Sequence, residues 1–178
     1  MPGLAQVMAA VQGKKKALLT GAFFIACLLA PPLHAEVCQA PGPGQAVTSH
    51  RVIDGDTLEL SDQRRVRLIG VDTPEIGRAG EPSQPFAQAA KKRMQQLARQ
   101  PGLRLHLGEQ QQDRYGRTLA HLYGPGGQNI EAQLLSEGLG FALAIPPNTA
   151  LIECHMAAER QARKARRGLW RDSPVQSA

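Results

Sequence analysis

The chain has 178 residues, enough for one domain with additions, and its 42% apolar share can fill a modest core. The formal charge is +6, but residues 1–35 contribute three lysines and no acid, so without them it is +3. That balance is too mild to mark a polyanion-binding protein by itself, and no internal repeat or low-complexity segment points to an array or a filament.

Taken in chain order, Lys14, Lys15 and Lys16 precede an apolar run from Ala17 to Ala30, followed by "PPLHA". This charged, apolar, small-residue order predicts a secretory signal peptide over 1–35, cleaved after Ala35. The apolar run is short for a membrane span, so membrane attachment is expected only if the signal stays uncleaved. An exported protein, periplasmic or secreted, follows. Cys27 leaves with the signal, and Cys38 and Cys154 stay behind. In an oxidising compartment one even pair suggests a disulfide from the mature N-terminus to the last helix; the alternative is two unrelated thiols.

Residues 36–46 are rich in Pro and Gly and read as a lead-in. The folded domain is expected over 47–171, with 172–178 a disordered tail. Strand-like pieces run from Val47 to Ile53, Thr57 to Leu60 and Arg65 to Val71. A helix is expected from Pro85 to about Gln100, with Phe86, Ala90, Met94 and Leu97 on one stripe. Two more strands follow, Leu103 to Leu107 and Thr118 to Tyr123. A short helix starts at Asn129 and stops at Gly138, and a last helix runs from about Asn148 to Arg167, leaving Leu169 and Trp170 to pack. Its cations, Arg160 to Arg167, read best as a solvated face. Three strands, a helix, two strands and two helices predict a five-stranded β-barrel with three α-helices, an α+β fold.

Three stretches carry chemistry. "VIDGDT" places Asp54 and Asp56 around Gly55; by itself it could be a β-turn, and it lacks the spacing of an EF-hand. "RLIGVDTPE" supplies Arg67, Asp72 and Glu75, with Thr73-Pro74 unable to continue a strand. "DRYGR" supplies Tyr115 and Arg117 around a turn at Gly116, and its bland reading is an exposed loop with a weak Asp–Arg pair. Acids from two segments suit a hard, oxygen-bound cation. His50, His106, His121 and His155 are scattered and read as surface or packing residues rather than zinc ligands. "GPGG" at 124–127 lacks the Lys-Ser/Thr of a phosphate-binding loop. A cation, an outlying carboxylate and two arginines are what phosphodiester hydrolysis needs. One obstacle is physical: strict alternation puts Arg67 and Asp72 on opposite faces of a strand, so a shared site requires an irregularity near Gly70.

In this order and spacing, "VIDGDT", "RVRLIGVDTPE" and "DRYGRTLAHLY", ahead of "AERQARKARRGLW", resemble the thermonuclease family, staphylococcal-nuclease-like domains on an OB-type barrel. The resemblance covers about Val47 to Trp170. It implies calcium (Ca²⁺) held by Asp56, Asp72 and the Thr73 carbonyl, with Asp54 nearby. It implies Glu75 as general base, and Arg67 and Arg117 as the groups that hold phosphate and transition state. DNA and RNA are the implied substrates and 3′-phosphate ends the implied products; no protein partner is implied, and a monomer is expected. Where the family's tyrosines are expected, "GFALAIPPN" has Leu143, Ala144 and Ile145, and residues 36–178 hold only five aromatics. Weaker or differently placed base contacts follow, with Tyr115 offering one. A non-cleaving nucleic-acid-binding module on the same barrel is the alternative.

Overall fold

The computed structural model describes residues 38–40 and 42–172; the expected signal segment 1–35 lies outside the described residues, as does the tail beyond Asp172. Among the described residues eight strands are formed: β1 (Gln45–Ala46), β2 (Ser49–Val52), β3 (Thr57–Leu60), β4 (Arg65–Leu68), β5 (Val71–Asp72), β6 (Arg104–Gln112), β7 (Thr118–Tyr123) and β8 (Phe141–Ala142). The helices are α1 (Ala87–Ala98), α2 (Ile130–Ser136) and α3 (Ile152–Lys164), with a 3₁₀ turn at Gly168–Trp170.

Six strands lie in the order β1-β6-β7-β4-β3-β2, antiparallel except for the parallel β4–β7 pair. Because β1 and β2 are nearly contiguous, this order curls the sheet back on itself. Between them the Val47 N–H donates to the Leu103 carbonyl at 3.1 Å, and the Thr48 carbonyl accepts from Ser61 at 2.9 Å. The first strand therefore bonds to β6 with one half and to β3 with the other. Counting β1 and β2 as one bent strand gives the five strands of an OB-type barrel, with β1 lying inside the segment read as a lead-in. Period-two alternation on β3, β4 and β7 sends Leu58, Leu60, Val66, Leu68, Ala120 and Leu122 inward. Ala90, Met94 and Leu97 of α1 and Ile130, Leu134 and Leu135 of α2 cover the barrel and are almost fully buried.

The expected boundaries need four corrections. α1 begins two residues after Pro85, because Phe86 adopts a left-handed backbone (φ +68°) that cannot belong to the helix. β6 runs on to Gln112 through "GEQQQ", where apolar alternation has stopped but the ladder to β7 resumes after an irregularity. α3 begins at Ile152, since Asn148 is occupied elsewhere: its amide exchanges two hydrogen bonds of 2.9 Å with the backbone of Gln110. Finally, β4 stops at Leu68.

α2 keeps its expected start, with the Asn129 side chain capping the Ala132 N–H at 2.8 Å, and ends at Gly138 with φ +71°. Cys38 and Cys154 form a disulfide with Cα atoms 5.6 Å apart. On α3, Arg163 pairs with Glu159 and lies 3.7 Å above the Trp170 ring, so part of the basic face packs rather than dissolves.

Candidate active site

The site is made by the break after β4. Gly70 has φ +83°, a conformation only glycine adopts without strain, and a Cβ there would run into the His155 imidazole. The chain therefore turns at Ile69-Gly70 and restarts as β5, which leaves the main sheet to pair with β8. The turn resets strand parity and brings Asp72 back to the face of Arg67. The Arg67 guanidinium donates to Asp72 Oδ1 at 2.9 Å and lies 3.3 Å from Asp56 Oδ2. Its Nη1 also donates to the carbonyls of Leu68 and Val71, at 2.9 and 2.7 Å, so the arginine clasps the turn that positions it.

Asp56 is 3% exposed. Its carboxylate accepts from the Thr73 N–H (2.7 Å), the Thr73 hydroxyl (3.0 Å) and the Thr57 hydroxyl (3.0 Å). Burial pushes its carboxyl up to about 6, with the Asp54 charge adding to the rise, although Arg67 and the Thr73 bonds pull it down. Asp54, also buried, accepts the Asp56 N–H at 3.3 Å. An acid that burial lifts in spite of an adjacent arginine is one whose ionised form favours further positive charge nearby. With Asp72 half-exposed at the rim, the donor set is all oxygen and fits a hard divalent cation. The three aspartates do not converge as tightly as a preformed cage. Among the described residues, the one metal-compatible trio of Cys, His or acid atoms within 4.8 Å is Cys38, Cys154 and His155, and its two sulfurs are bonded to each other.

Glu75 is exposed at the root of the loop after β5, and among the described residues no contact joins its carboxylate to Asp56, Asp72 or Arg67. Its N–H donates to Gln84 Oε1 (2.9 Å) and its carbonyl accepts the Gln84 N–H (3.0 Å), which pinches the loop shut. Arg117 stands at the end of the β6–β7 hairpin. Asp113 accepts its Nε–H at 2.6 Å and the backbone N–H groups of Tyr115 and Arg117 at 2.9 Å. Burial alone would raise the Asp113 carboxyl, but the Arg117 and Tyr115 hydrogen bonds outweigh it and hold it below the usual range. The Asp–Arg pair foreseen as a bland loop contact thus exists, and it fixes the arginine by its Nε edge. Tyr115 is 68% exposed, under the guanidinium groups of Arg114 (4.8 Å) and Arg117 (5.6 Å).

Two depressions meet at Tyr115 and Arg117. One, about 480 Å³, is lined by Arg67 and mainly apolar neighbours that include Leu143 and Ile145, the residues standing where tyrosines were expected. The other, about 620 Å³, is lined by Asp54 and a group of arginines. Residues 65–172 match the family described as staphylococcal nuclease homologue. The chain belongs to this family.

Among its relatives, the chain is 35% identical over 130 residues to a thermonuclease of Staphylococcus intermedius, covering 71% of this chain and 77% of that one. It is 37% identical to a thermonuclease of Staphylococcus hyicus (67% and 72% covered) and 36% identical to a micrococcal nuclease of Shigella flexneri (71% and 74%). Family membership makes it an enzyme of the nuclease type. Sequence reasoning overlooked Thr57 and the role of Asp113 in fixing Arg117. The only signals were a hydroxyl directly after Asp56 and an acid four residues before an arginine.

Proposed function

We propose that the protein is an exported, calcium-dependent nuclease that hydrolyses DNA and RNA to 3′-phosphate ends. The observation that carries this reading is the Arg67 guanidinium joined to both Asp56 and Asp72, with Arg117 facing the same groove. Asp56, Asp72 and the Thr73 carbonyl, with Asp54 behind them, would hold the cation. Bound there, calcium would neutralise charge on a phosphate oxygen.

The protein's own groups do the rest. Arg67 binds the scissile phosphate and meets the negative charge that grows on its oxygens. The exposed Glu75 carboxylate takes a proton from the attacking water, whose oxygen forms the new bond to phosphorus as the bond to the 5′-oxygen breaks. With its Nε–H given to Asp113, Arg117 offers its two Nη groups to the phosphate and the departing oxygen. Export is supported by residues 1–35 and by the Cys38–Cys154 disulfide, which an oxidising compartment would preserve.

The test is digestion of single-stranded DNA by the exported protein in calcium and then in chelator, with analysis of product ends. Calcium-dependent cleavage to 3′-phosphates is expected. Cleavage indifferent to chelator would overturn the metal role, and salt-sensitive binding without cleavage would favour the non-cleaving module.

A further inference from the structure

The arginine-lined depression adjoins a smaller one of about 290 Å³, and Arg65 and Arg78 line both. Together they are lined by six cationic side chains, Arg51, Arg64, Arg65, Arg78, Lys91 and Arg117, against two acids, Asp54 and Glu59. Some of these cations are already neutralised: Arg51 pairs with Glu59, Arg64 with Asp62 and Arg117 with Asp113. Among the described residues, no acid lies in ion-pair contact with Arg65, Arg78 or Lys91; Glu59, across the β3–β4 ladder from Arg65, is bonded to Arg51 instead. They come from three separate elements: the start of β4, the loop after β5 and the second turn of α1. Unpaired like charges converging from distant parts of a chain repel one another, and a bound polyanion relieves that repulsion.

We propose that Arg65, Arg78 and Lys91 form a second phosphate-holding track, which grips the polynucleotide strand where it continues beyond the cleaved bond. The proposal rests on the nuclease reading and extends it to substrate length. On one side of Arg117 the surface is apolar and suits a nucleoside; on the other it is cationic and suits successive phosphates. Arg78 has an additional role as a positioning residue. It lies toward the tip of the loop that Glu75 and Gln84 pinch at the root and that the Gly77 N–H to Ser83 Oγ bond (3.1 Å) braces further out. A phosphate held by Arg78 anchors the far end of the loop that carries the Glu75 carboxylate. A long strand thereby orders the carboxylate that deprotonates the attacking water, and a dinucleotide does not.

The test compares the wild type with Arg65→Gln/Arg78→Gln/Lys91→Gln. Binding of a fluorescein-labelled 12-nucleotide oligothymidylate is followed by anisotropy in chelator from 50 to 200 mM salt. Turnover is followed in calcium on that oligonucleotide and on dithymidine phosphodiester. At about 0.7 per single-strand phosphate contact, loss of three cations should make the log–log salt dependence shallower by roughly 2. For the triple variant, kcat/KM on the 12-mer should fall at least tenfold while turnover of the dinucleotide stays unchanged. Arg78→Gln alone should lower kcat on the 12-mer, Arg65→Gln alone should raise only KM, and Arg78→Lys should restore the salt slope. An unchanged slope, or an equal loss on both substrates in a variant that melts like the wild type, would overturn the track. A wild type that cleaves neither substrate would defeat the nuclease reading instead, and the anisotropy slope would still decide the track.

Discussion

Two regions of this molecule use the same side-chain chemistry to opposite ends. At the mouth of the barrel, Asp56, Arg67, Asp72, Glu75 and Arg117 grade from buried to exposed, and several donors and acceptors point outward. Beneath α2 and α3, Glu131, His121, Asn129 and His155 form a second polar group, closed to solvent. Glu131 is 0% exposed; its carboxylate accepts the Leu122 N–H at 3.1 and 3.3 Å and lies 3.1 Å from His121 Nδ1. His155 Nε2 lies 3.1 Å from Asn129 Oδ1, and the same oxygen caps α2. One cluster leaves acids and arginines at the surface, where the proposed substrate would meet them, while the other uses its acceptors to tie helices to the barrel. Exposure separates them, not residue type, and even the closed cluster leaves Asn129 Nδ2 and His155 Nδ1 without a hydrogen-bond partner among the described residues.

If the two clusters do different work, substitutions in them should separate stability from turnover. Glu75→Gln removes a charge that supports no fold contact. It should lower turnover by about 10²–10⁴, the range typical of a lost general base, with the melting temperature unchanged. Circular dichroism melts beside single-turnover cleavage of the 12-mer would check both halves. A large drop in melting temperature would mean that Glu75 supports the fold, as Glu131 does.

Glu131→Leu is the mirror image. It leaves the Leu122 N–H and the His121 ring buried without their acceptor, a loss of about 3–5 kcal/mol by analogy with broken buried pairs. A melting temperature lower by roughly 10 °C is expected for a domain of this size. At low temperature the folded fraction should cut at the wild-type rate, because no residue of the open site has been touched. If Glu131→Leu does not fold, Glu131→Gln keeps an acceptor for Leu122 and should show the same pattern at smaller amplitude. Loss of turnover without loss of stability would show that the closed cluster acts in catalysis.

These regions were unequally legible in the sequence. The open site is written in short motifs, because a turn that presents acids needs Gly, Asp and Pro at adjacent positions, and local constraints leave local traces. Even the break between Arg67 and Asp72 was marked, by Gly70. The closed cluster leaves no such trace. His121, His155 and Glu131 lie on β7, α3 and α2, and their partnership follows from how those elements pack. His121 and His155 were accordingly read as surface or packing residues, and Glu131 was not singled out. Arg65, Arg78 and Lys91 were missed for the same reason, since three cations dispersed along the chain look like ordinary solvated charges. The late part of β6 was missed because its glutamines carry no apolar alternation, although the backbone ladder does not require any.

The closed cluster should also respond to pH, by a smaller amount than to loss of Glu131. Burial holds the His155 imidazole below its usual value of 6.5, with the neighbouring His121 pushing the same way and Glu131 opposing. Its ring lies 5.7 Å from that of His121, and it directly follows Cys154 of the disulfide. A depressed histidine is neutral in the fold but accepts a proton more readily in the unfolded chain. Its contribution to stability is therefore full above 6.5 and is lost as pH falls through the lower folded value. Between pH 7.5 and 5 this should lower the wild-type melting temperature, partly offset by Asp56, whose raised carboxyl takes up a proton in the fold as pH falls past about 6. In His155→Gln, which can still donate to Asn129, that fall should be shallower, though His106, also depressed chiefly by burial, will keep some slope. Melts in calcium-free buffer at half-unit pH intervals would measure it. Identical slopes in the two proteins would show that protonation of His155 does not couple to unfolding, leaving the closed cluster to act through its hydrogen bonds alone.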